Sequence, residues 1–292
     1  MSAYRFCRTD DIGLLVDALN RCWAPYFPEE PPMTPAAFKQ SIRRFQVWCS
    51  SCMVAFSGPD PVGVLIGAKR PSGTLIHKIA VHPDHRRQGH GRHLLTSLGS
   101  KLAILGPPRM IAEVPEALTS ACELFSATGY LEEAVLTDYV LQGPALSERG
   151  SAARVEGFVI PVTVDDLAAN GLLEAPDPPV CWERSVETLT ARKDEIEGLA
   201  VASDERIEAY LLYLKAGLDP ESGPTGIVSL RTFIEDGGDR LLQLLSRLRA
   251  QGMETFRFPK VHPAEVSKES METLGFRPAG GHRLYAAKAR SE

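Results

Sequence analysis

LIHKIAVHPDHRRQGHGRHLL, residues 75–95, reads as a strand, a basic glycine turn and the start of a helix. Leu75, His77, Ile79 and Val81 alternate with Ile76, Lys78 and Ala80, and Ile76, Ile79 and Val81 are β-branched, which suits a mostly buried strand. Pro83 ends it. Arg86, Gly89 and Gly91 then make the pattern R-x-x-G-x-G, and Leu94, Leu95 and Leu98 recur at helical spacing over 93–105. The turn therefore lies at a helix N-terminus, where the first backbone N–H groups lack intrahelical partners and the helix dipole adds partial positive charge. A phosphate fits there. Gly89 and Gly91 remove side chains that would hold a phosphate away and allow positive φ, while Arg86, Arg87 and Arg92 add full charge. The turn is neither a Walker loop nor the G-x-G-x-x-G dinucleotide fingerprint.

In its context of strand and helix, the run IAVHPDHRRQGHGRHLL resembles the acetyl-CoA-binding motif of the GNAT N-acetyltransferase superfamily. ACELFSATGY, residues 121–130, resembles that family's later helix with its Gly-aromatic ending. The resemblance implies that Arg86, Arg87, Gln88, Gly89, His90, Gly91 and Arg92 hold the CoA diphosphate, largely through their backbone amides. It also implies that Ile79, Ala80 and Val81 line the acyl-bearing arm and polarise the thioester carbonyl. Acetyl-CoA is then the cosubstrate, and the acceptor is an amine on a small molecule or peptide.

Composition is that of an ordinary globular protein, with 44% hydrophobic and 24% charged residues in 292. The length suits two cores. Residues 1–145 carry 14 Lys plus Arg against 13 Asp plus Glu, and the remainder 18 against 24. Without general basic character a nucleic-acid partner is not expected. No apolar run has the length of a membrane helix, and MSAYRFCRTDD lacks the apolar core of a signal peptide, so a cytoplasmic protein without a membrane partner is expected. The six cysteines do not read as a disulfide framework, and Cys49 and Cys52, although spaced C-x-x-C, read as packing residues.

Along the chain, Tyr4–Arg8 suits a strand, and Thr9-Asp10-Asp11 offers a cap to a helix carrying Ile12, Leu15, Val16 and Leu19. Prolines 25, 28, 31 and 32 break the chain before Thr34 caps a second helix through Phe45. In the resembled family this region shapes the acceptor pocket, which makes Trp23, Tyr26 and Phe27 candidate lining residues. Strands follow at 52–56 and 62–69, then one at 110–114, a helix at 118–128 and a strand at 134–141. This order gives an α/β layer with a mixed, mostly antiparallel sheet flanked by helices. The polar stretch 144–151 reads as a linker between an N-terminal acetyl-CoA-binding domain, 1–143, and a C-terminal domain, 152–292.

The second half repeats the first. Gly275-Phe276 mirrors Gly129-Tyr130, and Gly238-Asp-Arg-Leu-Leu mirrors Gly91-Arg-His-Leu-Leu. Strand-like 197–202, 207–215 and 227–233 precede a helical 239–250, so the chain reads as two tandem GNAT-like α/β domains. Where the first half has RRQGHG, the second has Phe233-Ile234-Glu235-Asp236-Gly237-Gly238, acidic instead of basic. A degenerate second site that does not bind CoA is expected.

His77 is the candidate general base, because an imidazole titrates near neutrality, and Glu113 on the next strand is the alternate. The tyrosine that commonly serves the resembled family as general acid is Phe125 here, which leaves water, the released ammonium, or another tyrosine such as Tyr130 or Tyr139 as the proton source. It also raises a second reading, a noncatalytic acyl-CoA-binding regulatory protein. His82, His85, His90 and His93 form two H-x-x-H spacings, but the phosphate turn accounts for their surroundings and no metal is expected. Neither acceptor identity nor oligomeric state has a signature.

Overall fold

The computed structural model describes residues 2–143, 157–174, 181–215 and 223–290; the expected linker at 144–151 lies outside them. The first half carries β1 (Ser2–Phe6), α1 (Ile12–Cys22), α2 (Pro35–Phe45), β2 (Met53–Ser57), β3 (Asp60–Arg70), β4 (Gly73–Val81), α3 (His90–Leu105), β5 (Arg109–Pro115), α4 (Thr119–Ala127) and β6 (Leu131–Leu141). The second carries β7 (Phe158–Val162), α5 (Val164–Ala169), α6 (Val186–Ala191), β8 (Ile196–Ala202), β9 (Ile207–Leu214), β10 (Thr225–Thr232), α7 (Asp239–Arg249), β11 (Phe256–Val261), α8 (Lys268–Thr273) and β12 (Arg277–Lys288). No helix among the described residues is long and apolar enough to cross a membrane.

Thr34 caps α2 as its sequence predicts, its side chain accepting from the Ala37 amide at 3.1 Å. Asp11 does not cap α1. Its carboxylate instead accepts from the Arg8 amide and pairs with Arg5, so the side chain closes the turn before the helix.

Two compact units form, Met1–Glu133 with Arg283–Glu292, and Ala134–His282. The sequence reading divides the chain at 144–151, whereas these boundaries give the last strand of each half to the other unit. The reason is packing. Tyr285 of β12 is 2% exposed in the core formed by α3, α4 and β5, stacked on Phe125 at 5.7 Å. Tyr139 and Leu141 of β6 lie in the core of the second unit, with Leu244, Leu245, Phe256 and Phe258.

In the first unit the strand order is β1-β2-β3-β4-β5-β12. Met53, Ala55, Leu65 and Ile76 pack with Leu94, Leu95 and Leu98 of α3 on one face. The alternate residues Val54, Val64 and Ile66 are equally buried, and α1 packs over β3 on their face. In the second unit the order is β6-β11-β10-β9-β8-β7, with α7 leucines packed on Leu199, Val201, Ala209 and Leu211, and α5 and α6 residues on Ala200, Tyr210 and Leu212.

All six cysteines are free and buried. Burial pushes the thiol of Cys22 up to about 11 and that of Cys7 to about 12. That agrees with packing residues rather than nucleophiles.

Because Tyr285 completes the first unit's core from the far end of the chain, Tyr285→Ala should destabilise that unit by about 3–5 kcal/mol. Denaturant unfolding of full-length protein measures this, and an unchanged midpoint would show that β12 contributes nothing to the unit.

Candidate active site

β4 and β5 run parallel for only two pairs, Thr74–Met110 and Leu75–Ile111, and the ladder then stops. β4 stays paired to β3 on its other side through Val81. The His82 amide donates to the Val62 carbonyl, so by antiparallel alternation Ala80 turns its N–H and C=O toward β3, while Ile79 and Val81 turn theirs toward the opening beside β5. Of the three strand residues expected to line the acyl arm, Ile79 and Val81 therefore present backbone groups to the opening. Ala80 does not.

A β-bulge lies at the mouth of this opening. Ile66 faces Lys78 and Gly67 faces Ile76, which leaves His77 as an extra residue on β4. Ile76 and Ile79 both belong with the α3 cluster, so His77 and Lys78 are both released to the opposite face. There the His77 ring stacks on Phe45 at 4.8 Å, and the Lys78 ammonium lies 3.8 Å from the Trp23 ring centre. On β5, Met110, Ala112 and Val114 pack toward α3, which puts Glu113 on the same face as His77. The two candidate bases thus share one face, on the two strands that border the opening.

Trp23 and Phe27 stack at 4.4 Å and, with Leu19, Glu30, Met33 and Lys78, line a small cavity on this face. Trp23 Nε1 donates to Glu30 at 3.0 Å. Tyr26 takes a different place. Its hydroxyl donates to the Val81 carbonyl at 2.6 Å and accepts from Arg86 Nε at 2.6 Å.

The turn after β4 is built as a cradle. Gly89, at φ +84°, is the left-handed residue before α3, and Arg87 also has positive φ, +62°. Gly91 lies inside α3 in a helical conformation, where a Cβ would meet the end of the Leu124 side chain of α4 at 2.9 Å. The left-handed freedom expected of both glycines is therefore used by one. Among the described residues, no protein oxygen accepts from the amides of Arg87, Gln88, Gly89, His90, Gly91 or Arg92, and the first intrahelical bond runs from His93 to Gly89. Six successive N–H groups stay available where the helix dipole is positive.

The histidines of this turn have structural partners. His90 is 3% exposed, with Nδ1 at 2.8 Å from the Tyr4 hydroxyl and Nε2 buried without a hydrogen-bond partner. Burial, and then the neighbouring His85 and His93, lower its pKa, so it stays neutral at pH 7 and lends the turn its amide rather than a charge. The His93 ring lies 3.7 Å from that of Tyr4, and His82 Nδ1 accepts from the Asp84 amide.

No proton donor occupies the α4 position. Phe125 is 2% exposed, packed between Tyr130 and Tyr285. Tyr130 is no substitute, because burial raises its pKa strongly and its hydroxyl meets the Met110 sulfur at 3.9 Å. Tyr139 packs in the second unit.

The second unit has the same frame with its openings filled. β10 and β11 are parallel for two pairs, Thr225–Phe256 and Gly226–Arg257, and Val228 is the extra residue at the equivalent bulge. The Arg184 guanidinium donates to the Pro259 and Lys260 carbonyls beyond those pairs and bonds Glu265 at 2.9 Å. Gly238, at φ +95°, precedes α7 as Gly89 precedes α3, which makes it the counterpart of Gly89 rather than of Gly91. Here the Asp236 carboxylate accepts from the amides of Gly238 and Arg240, both at 3.0 Å, and from the Arg240 guanidinium, which also pairs with Glu208 at 2.6 Å. A carboxylate of the chain itself holds the place that an anion would take.

Residues 15–130 match the acetyltransferase (GNAT) family. A tandem GNAT protein from the clavulanic acid biosynthesis pathway, solved without acetyl-CoA, is 18% identical over 100% of both chains, with a TM-score of 0.64. A GCN5-related N-acetyltransferase from Sphaerobacter thermophilus is 14% identical, covering 99% of this chain and 96% of its own, with a TM-score of 0.65. One from Kribbella flavida is 15% identical over 98% and 70%, with a TM-score of 0.64. No curated protein matches this chain. Residues 15–130 thus match the acetyltransferase (GNAT) family, and the chain as a whole has the tandem GNAT fold.

Burial raises the pKa of Asp236, but hydrogen bonds from the Arg240 side chain and the amides of Arg240 and Gly238 outweigh it, and the net value lies below the usual 3.8. Stability from a depressed carboxylate is complete above its unfolded pKa and is lost as pH falls through the folded value. Asp236→Asn should therefore cost about 1.5–3 kcal/mol at pH 7, and the gap to wild type should close as pH falls below 3.8. Urea unfolding at pH 7 and pH 3 measures both; a gap of equal size at the two values would remove the carboxylate's role.

Proposed function

We propose that the first unit transfers the acetyl group of acetyl-CoA to a primary amine of a small molecule or peptide. The observation that carries this reading is the run of six unoccupied amides from Arg87 to Arg92, next to a parallel strand pair that opens after two residues. The amides of the turn, with Arg86 and Arg92 beside them, hold the diphosphate. The pantetheine arm adds to β4 as a strand would, through the outward groups of Ile79 and the Val81 amide, which carries the thioester toward the bulge at His77.

At the bulge the chemistry is proton management. An alkylammonium with a pKa of about 10 must lose a proton before it can attack, a cost of roughly 4 kcal/mol at pH 7. His77 takes that proton directly or through one water, with Glu113 across the opening as the alternate acceptor. The amide of Ile79 supports the thioester oxygen as charge develops there. As the tetrahedral adduct collapses, the C–S bond breaks and the thiolate needs a proton. With Phe125 in the core, the imidazolium of His77 returns the one it took, and the adduct nitrogen releases its second proton to solvent water. Trp23, Phe27 and Glu30 form the wall against which the acceptor lies. The second unit, its cradle filled by Asp236, supports the first and does not bind CoA. A cytoplasmic location accompanies this reading.

Phe125 also favours a second reading, that the unit binds acyl-CoA as a regulatory protein without turnover. Calorimetric titration with acetyl-CoA should give one equivalent per chain for wild type and no binding for Gly89→Val, whose β-branched side chain is strained at φ +84°. Two equivalents would place a ligand in the second unit as well. In an amine panel, His77→Ala should lower kcat about 100-fold or more with the KM for acetyl-CoA little changed. Binding without acceptor-dependent release of CoA from wild type would establish the regulatory reading instead.

A further inference from the structure

Tyr26 ends a short 3-10 turn, Ala24–Tyr26, on the segment that bears Trp23 and Phe27, yet it does not line their cavity. It reaches the free edge of β4. Its hydroxyl donates to the Val81 carbonyl at 2.6 Å, one of the groups left open where β5 departs, and its lone pair accepts from Arg86 Nε at 2.6 Å. The Arg86 guanidinium carbon lies 4.5 Å from the centre of the same ring. One side chain thus fixes Arg86 twice, through a hydrogen bond and by stacking.

Arg86 is the first residue of the R-x-x-G-x-G turn and is itself exposed. An exposed arginine samples many rotamers, and a ligand that must immobilise it loses affinity. We infer that Tyr26 is a positioning residue for CoA binding, holding Arg86 in one pose with its terminal N–H groups left for a phosphate. Because Nε and one face of the guanidinium are engaged by Tyr26, the fork keeps its two terminal nitrogens, the pair suited to bidentate contact with phosphate oxygens. The role requires arginine. A lysine has neither an Nε donor nor a flat face to stack. It also links two parts of the site, since the segment that carries Trp23 and Phe27 at the acceptor cavity is the one that sets the arginine at the phosphate turn.

The inference rests on the reading of the turn as the CoA diphosphate site. Calorimetric titration of CoA into wild type, Tyr26→Phe, Arg86→Ala and the double variant tests it. Tyr26→Phe should weaken binding about three- to tenfold, Arg86→Ala at least about tenfold, and the double variant no more than Arg86→Ala alone. A loss from Tyr26→Phe that persists undiminished in the Arg86→Ala background, as a merely structural role would give, overturns the inference alone. So does a Tyr26→Phe protein that binds like wild type. Arg86→Lys supplies a measure independent of folding at Tyr26 and should bind as weakly as Arg86→Ala; wild-type affinity overturns the inference. If wild type itself does not bind CoA, the diphosphate reading fails and this inference with it.

Discussion

A parallel strand pair that stops after two residues leaves backbone donors and acceptors unpaired in the middle of a sheet, and the rest of this protein is arranged around that constraint. Buried peptide groups without partners are costly, so the gap must be bordered by solvent, a ligand or other parts of the chain. Both units have such a gap. In the second, Arg184 bonds the Pro259 and Lys260 carbonyls of β11, while Asp236 takes the amides at the start of α7. In the first, Tyr26 takes the Val81 carbonyl, and the amides of Arg87 to Arg92 have no acceptor among the described residues. The same frame is thus closed by the chain's own charges in one unit and left to an incoming anion in the other.

Local pattern carried a large part of this into the sequence. The strand at 75–81, the helix after Gly89, the cap at Thr34 and the acidic replacement at Asp236 all follow from residue type and short-range spacing, because dihedral preference and helix-end chemistry are local. Pairing geometry is not local. That Ala80 faces β3 while Ile79 and Val81 face the gap depends on the ladder register, which a run of apolar residues does not encode. His77 is visible as a histidine on a strand, but its place on the side away from α3 comes from a bulge that no residue type announces.

Two further features were hidden for other reasons. The bond between Tyr26 and Arg86 joins residues 60 positions apart, and only the folded chain brings them together. In the second half β7, α5, α6, α8 and β12 are short or polar, with exposed residues along β7 and the first part of β12, so their hydrophobic periodicity is weak. The sequence pairs Gly238 with Gly91, whereas the structure pairs it with Gly89. Leucines at repeating positions align in more than one register, and only the left-handed glycine before each helix identifies the equivalent residue.

The return of Arg283–Glu292 to the first unit bears on how the molecule is made. Domains usually fold as units during synthesis, N-terminal before C-terminal, but here the strand beside β5, with Tyr285 that stacks on Phe125, is made only after the second unit. The first unit must therefore wait, incompletely packed, while the second unit is being made, and its final contacts close a loop of some 150 residues, a slow kind of step. Unfinished and damaged chains that lack the last strand would keep an exposed edge and an unfilled core, which are the features that chaperones and proteases recognise. The order of the strands thus ties completion of the candidate active unit to synthesis of the second unit.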